Sequence, residues 1–319
     1  AQFYALAAFF IIPKTLFKFN IEALRGLKEF GKVATQNISL AITNLTVLVI
    51  LTVFVLHKYV PVYGYLITML IVGSISTWLV FKAFGPTAAR GAKEKVMKWQ
   101  EILQLSAPMF MTKSAFLVLG FADVLMITAM RDDIAEVGYY QVAWKLIMFN
   151  KFFKNSITST AAPKLAELHS AGNFEELKIV AKKTTMLLGY TVLPFIVLMV
   201  VFGKPMLRGL YGAEFLAGYQ AFMFLGLAQI ITAIMGHVGM FMNMCGGQAL
   251  YMRIVIFSAL MNIGLNYVLI PIYGITGAAV ANVASVLFTH IAGTIYIKRN
   301  FGFTIAYPPL IGLFRKNKF

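Results

Sequence analysis

Long apolar runs, interrupted by short polar or basic stretches, recur along nearly the whole chain, and they exceed what the strands or core helices of a soluble domain use. Crossing a hydrocarbon layer of ~30 Å takes ~20 helical residues. Runs of that length predict spans near residues 38–57, 62–81, 102–130, 135–162, 178–202, 217–243, 249–270 and 275–297. Residues 5–12 look like the tail of a further span. The chain opens at Ala1 inside an apolar run (ALAAFFII) that is too short to cross and lacks the basic, small-residue layout of a signal peptide. The pattern predicts an all-α integral membrane protein with about eight crossings, truncated at its N-terminus.

Composition supports lipid as the solvent: 60% of residues are hydrophobic and 13% charged, more apolar surface than a soluble core of 319 residues absorbs. A net charge of +16 would point to nucleic acid in a soluble protein, so the placement of the basic residues decides. With loops assigned alternately to two sides, 20 Lys and Arg fall on one side and only Lys58, Arg131, Lys204 and Arg208 on the other. That bias marks the first side, with the C-terminus, as cytoplasmic in a cell membrane. The basic loops suit retention and anionic lipids, and no nucleic-acid partner is expected. The single cysteine, Cys245, excludes an internal disulfide and a Cys-rich metal site. No phosphate-binding loop, zinc motif or catalytic triad pattern is present, so no cofactor, metal or enzymatic activity is expected.

The segment VPVYGYLITMLIVGSIS at 60–76 resembles IPIYGITGAAVANVASV at 270–286, each carrying a Pro-(Val/Ile)-Tyr-Gly turn between two expected spans. Pro and Gly suit any tight reversal, but the common context favours a duplicated unit. Six expected spans separate the copies, so the repeat is parallel, with its pseudo-axis along the membrane normal and a substrate path between the halves. The expected layout is a helix remnant at 1–13, the rest of a first lobe with two full spans at 14–85 and an inter-lobe linker at 86–101. A complete six-span second lobe at 102–300 and a basic cytoplasmic tail at 301–319 follow. By this symmetry about 110 residues precede Ala1 in the whole unit.

Ionisable side chains within spans are costly, about 2.5–3.5 kcal/mol or more at mid-depth, and tend to face the bundle interior. The candidates are Lys113 and Asp123 in one span and Lys145, Lys151 and Lys154 in the next. At 1.5 Å rise per residue, Asp123 and Lys145 lie ~10–14 Å below the outer surface and the other lysines ~22–27 Å below it. This suggests an outer Asp123–Lys145 ion pair above an inner cationic cluster. Lys151, Lys154, Asn155 and Thr158 share one helix face and Lys145 lies off it. The lysines could instead snorkel to span ends, and Asp123 could serve only to neutralise a lysine. His237 could relay a proton or bond to a neighbouring helix; Asn262, Asn266 and Asn282 suit interhelical bonds, and Pro108 and Pro194 suit kinks.

The runs LSAPMFM and FADVLMI, then VGYYQVAWKL, AAPKLAEL, LYGAEF and the closing NYVLIPIYGITGAAVANVAS resemble the O-antigen type polysaccharide flippases of the multidrug/oligosaccharidyl-lipid/polysaccharide exporter superfamily. The resemblance covers about Ala23 to Ile297 and rests on the order and spacing of the runs. It implies a MATE-like transporter of two six-helix lobes, the first incomplete here, working by alternating access. It further implies a polyprenyl-pyrophosphate-linked oligosaccharide as cargo, moved from the inner to the outer leaflet for cell-surface polysaccharide synthesis. Membrane lipids, a polysaccharide polymerase and other assembly proteins are the implied partners. Lys113, Lys151, Lys154 and Asn155 would hold the anionic head group, with Asp123 and Lys145 serving coupling or an ion pair. Two other readings compete: a cation-coupled multidrug exporter, whose interior should offer carboxylates, and a non-transporting membrane scaffold. A membrane glycosyltransferase would need acidic residues beside large loops, and the loops here are short.

Overall fold

A computed structural model describes residues 11–27, 29–54, 60–88 and 98–306. The expected remnant before residue 11, Lys58, most of the inter-lobe linker and the tail beyond residue 306 lie outside the described residues. Every regular element among the described residues is helical. Contacts divide the chain into two compact units, 1–96 and 97–319.

In the first unit, α1 (Ile11–Gly26), α2 (Phe30–Phe54) and α3 (Val60–Ala88) pack on one another. Phe17, Ile21 and Leu24 of α1 form a small core with Val33 of α2 and Val72 of α3. One polar tie crosses it: the Asn20 amide donates to the Thr77 hydroxyl at 2.9 Å.

The second unit begins with α4 (Trp99–Met130), α5 (Ile134–Met148), α6 (Lys151–Ser170) and α7 (Phe174–Val201). A short amphipathic helix α8 (Gly203–Tyr211) and a 3-10 turn (Ala213–Gly218) lead into α9 (Tyr219–Met235), α10 (Val238–Met244) and α11 (Gln248–Phe301). Asp133 caps α5 by accepting from the Ala135 amide, and Asn173 caps α7 by accepting from the Glu176 amide, so the sequence starts these helices where a short polar side chain can take an orphan N–H. Helix α4 packs against α11, and α9 lies against α5, α7 and α11.

Six helices among the described residues are long and apolar enough to cross a membrane. The 54 residues of α11 would reach ~81 Å as a straight rod, over twice the hydrocarbon thickness. Gly274 breaks it, with φ 56° and ψ −139°, a conformation that L side chains resist. The arms fold back on each other: the Ser258 hydroxyl donates to the Ser285 carbonyl at 2.8 Å, and the Thr289 hydroxyl to the Ser258 oxygen at 2.9 Å. The two arms are the spans expected at 249–270 and 275–297, and Gly274 closes the second Pro-Ile-Tyr-Gly turn. Beside that turn Arg131 makes a bidentate ion pair with Glu136, at 2.9 and 2.7 Å, close over Gly274. Glu136, accepting these two hydrogen bonds, holds the Arg131 guanidinium above its ordinary pKa.

Close approach makes the hairpin intolerant of side chains at one point. A Cβ at Gly277 would run into the Leu269 carbonyl on the opposite arm. Gly277→Ala is therefore expected to lower the melting temperature of the purified protein by several degrees, an overpacking cost of about 1–3 kcal/mol. Gly264→Ala, which adds a methyl with nothing within 4 Å, should leave it unchanged or slightly raised.

Two expected spans are not continuous helices. The segment expected at 135–162 is split at Phe149–Asn150, where the amides bond three residues back, to Leu146 and Ile147, rather than four. Neither α5 nor α6 is both long and apolar enough to cross alone, so among the described residues the expectation of eight uniform spans gives way to seven apolar spans, two of them the arms of α11, and one broken pair. The segment expected at 217–243 breaks at Gly236, whose φ of 81° ends α9, and His237. Pro108 and Pro194 lie inside the continuous helices α4 and α7.

Candidate functional site

The second unit holds two polar regions, one buried and one more open, separated along α4 by the ten residues from Lys113 to Asp123, ~15 Å of helical rise.

The region around Asp123 is a buried hydrogen-bonded network. The carboxylate is 3% exposed; one oxygen accepts from the Tyr140 hydroxyl at 2.6 Å and the other from the Asn266 amide at 2.7 Å. The same amide also donates to the Asn262 oxygen at 3.2 Å, and the Asn282 side chain completes the shell. These residues come from α4, α5 and both arms of α11, so the network ties the hairpin to the helices it packs against. Each partner can donate to a carboxylate while remaining neutral, which suits a single acid that must exist in apolar surroundings.

The expected Asp123–Lys145 ion pair is not formed. Both oxygens of Asp123 are taken by neutral donors, and Lys145 points to the outside of α5, exposed, in a cleft with Phe149, Phe195 and Tyr211. The helix period already set Lys145 off the interior face; Tyr140 and Asn266 were the partners that a search for opposite charges overlooked.

The second region is cationic. Lys113 projects from α4, and Lys151 and Lys154 stand one turn apart on α6. Lys154 is half-buried, while Lys113, Lys151 and Asn155 are exposed within this unit. The Lys151 ammonium sits 6.0 Å over the Trp144 ring. None of the three lysines has a carboxylate within 4.0 Å among the described residues.

Two histidines join them. His237 lies at the break between α9 and α10, within electrostatic reach of Lys154, Lys113 and His290. Its Nδ1 is buried with no hydrogen-bond partner among the described residues. His290, on the second arm of α11, contacts the Val286 carbonyl through Nδ1 at 2.9 Å and reaches the Gly236 backbone. Gly293 lets the second arm of α11 close on α10, where a Cβ would strike the Val238 side chain, and Gly236 lets the break lie against α7, where a Cβ would strike the Thr185 hydroxyl. His290 escaped the sequence reading because a lone His in an apolar run has no spacing signal; its relation to His237 exists only once the hairpin folds back.

The arrangement can therefore do two things: hold an acid among neutral donors, and present five basic groups from four elements to an anion. No group of three or more His, Cys, Asp or Glu able to hold a metal ion occurs among the described residues.

Helices of this length and apolarity mark a multi-pass membrane protein. Residues 2–169 match the polysaccharide biosynthesis protein family and residues 108–268 the MatE family, and the chain belongs to this group of transporters and flippases rather than to a family of catalytic enzymes. It is 24% identical over 151 residues to the probable low-salt glycan biosynthesis flippase Agl15 of Haloferax volcanii, covering 47% of this chain and 32% of that protein. The matches span 32% and 47% of the length of two such curated relatives. Among solved structures, a multidrug resistance MATE family transporter in its outward-facing conformation superposes with a TM-score of 0.73 at 12% identity, over 88% of this chain and 64% of that one. The lipid II flippase MurJ in its inward closed conformation gives 0.60 at 18% identity, over 94% of this chain and 64% of that one. These likenesses establish the two-lobe, all-helical fold.

Proposed function

We propose that the full-length protein flips a polyprenyl-pyrophosphate-linked oligosaccharide from the cytoplasmic to the outer leaflet of the cell membrane by alternating access. The observation that carries this reading is the convergence of Lys113, Lys151, Lys154, His237 and His290 without a carboxylate among them. A pyrophosphate would be held there by charge-assisted hydrogen bonds, with the lysines as adaptable point charges and Asn155 as a polar neighbour. The polyprenyl chain would remain in the lipid. The family match to polysaccharide biosynthesis proteins and the similarity to a glycan flippase support the same cargo class.

Asp123 serves as the coupling group in this reading: an isolated acid among neutral donors can change its charge by taking up and releasing a proton or a small cation. The excess of Lys and Arg on one set of loops supports a cytoplasmic C-terminus, and a polymerase acting on the exported sugar is the natural downstream partner. A multidrug exporter of cationic compounds is the other reading compatible with the MatE match, but a cationic cluster would repel such cargo.

Expression of the full-length protein in a strain lacking its own flippase tests the proposal. Restored surface polysaccharide supports it. Restored resistance to cationic drugs without surface polysaccharide would replace it with the exporter reading.

A further inference from the structure

Lys145, freed from its expected pairing, stands in surroundings that suggest a different role. It lines a cleft of about 350 Å³ with Leu146, Phe149, Phe195, Met199 and Tyr211, between α5, α7 and α8. The floor is aromatic: the Phe149 and Phe195 rings are 5.9 Å apart, and Phe153 stands 5.4 Å from Phe195. Phe149 is 62% exposed, as a ring lying against lipid would be. Tyr211 closes the cleft at the end of α8, and Arg208, one turn earlier on the same helix, is on the same side and also exposed.

Neither Lys145 nor Arg208 has a carboxylate within 4.0 Å among the described residues. Glu214, the acid closest to Tyr211 along the chain, lies in the exposed 3-10 turn. An unpaired ammonium on an apolar helix face is costly unless it rises along its own stem to the interface or meets an anion there. In the headgroup layer that the Lys145 stem can rise to, the abundant anion is a lipid phosphate. A short amphipathic helix carrying Lys204 and Arg208 is also the kind of element that lies in the headgroup layer, so the cleft runs from that layer at Tyr211 down to the hydrocarbon at Phe149.

We propose that this cleft binds a negatively charged phospholipid of the surrounding bilayer, its phosphate on Lys145 and Arg208 and one acyl chain along Phe149, Phe195 and Met199. The site is separate from the interior cationic region, and it does not depend on what the protein transports.

The test measures lipid retention directly on the full-length protein, by native mass spectrometry after exchange into detergent containing dioleoyl phosphatidylglycerol or dioleoyl phosphatidylcholine. The wild type is expected to retain phosphatidylglycerol preferentially. Lys145→Gln should weaken that retention about fivefold, the effect of one basic residue near an anionic headgroup. Lys145→Arg should restore it, and Phe195→Ala should weaken both lipids. Lys154→Gln, in the interior region, should leave retention within about twofold. Equal retention of phosphatidylglycerol by the wild type and Lys145→Gln, or loss on Lys154→Gln instead, would overturn the proposal. Because binding is read without transport, a protein that fails to export polysaccharide still decides it.

Discussion

Lys154→Gln in the full-length protein is expected to cut surface polysaccharide about tenfold to a hundredfold at equal membrane abundance, the loss that follows from removing one charge-assisted bond of about 1.5–3 kcal/mol to an anionic head group. Lys154 is the most enclosed of the three lysines and has both Lys151 and His237 beside it. Without an anion the Lys151 and Lys154 ammonium groups repel each other, so neutralising Lys154 should leave the melting temperature unchanged or raise it. Lys154→Arg, which keeps the charge but changes its shape, should retain most of the export. A structural lysine predicts the opposite pairing, with stability lost and export per folded molecule preserved. Measuring surface polysaccharide together with thermal stability in detergent separates the two. Lys113→Gln and Lys151→Gln should move in the same direction by less, since both side chains are more exposed and Lys151 also rests on Trp144.

The extent to which this site was legible in the sequence follows from what each signal reports. Apolar run length reports burial in lipid, and it located the arms of α11 and the body of α4, α7 and α9. Run length is blind to a local change in hydrogen-bond spacing, so the split at Phe149–Asn150 and the break at Gly236–His237 passed as continuous spans. Gly236 was a visible cue, but an isolated Gly in a membrane helix marks close packing as often as a break. Helical periodicity grouped Lys151, Lys154 and Asn155 on one face because that relation is local. The partners of Asp123 were not legible: Asn266 lies 143 residues away, and only the reversal at Gly274 and the packing of α11 on α4 bring its amide to the carboxylate. Charge reasoning alone assigned Asp123 to a lysine, yet a buried carboxylate is equally satisfied by neutral donors, and Tyr140 was near enough in sequence to have been weighed.

Asp123→Asn should abolish the dependence of export on the ion gradient and lower the export rate at least about tenfold, while the fold survives. The amide is isosteric with the carboxylate and retains an acceptor for one of its two donors, Tyr140 or Asn266, so the melting temperature should fall only slightly. Asp123→Ala leaves the Tyr140 hydroxyl without an acceptor in a dry interior, at about 1–3 kcal/mol, and the Asn266 amide with only its bond to Asn262, and should destabilise markedly. Tyr140→Phe removes one donor but leaves the acid able to change its charge; export should persist with an altered dependence on proton or sodium concentration. The contrast between the Asn and Ala variants divides architecture from coupling: the first keeps the network's shape without its titratable charge, and the second loses both. If Asp123→Asn exports at the wild-type rate and still responds to collapse of the gradient, the acid is a structural tie between α4, α5 and α11, and the coupling group lies elsewhere in the full-length protein.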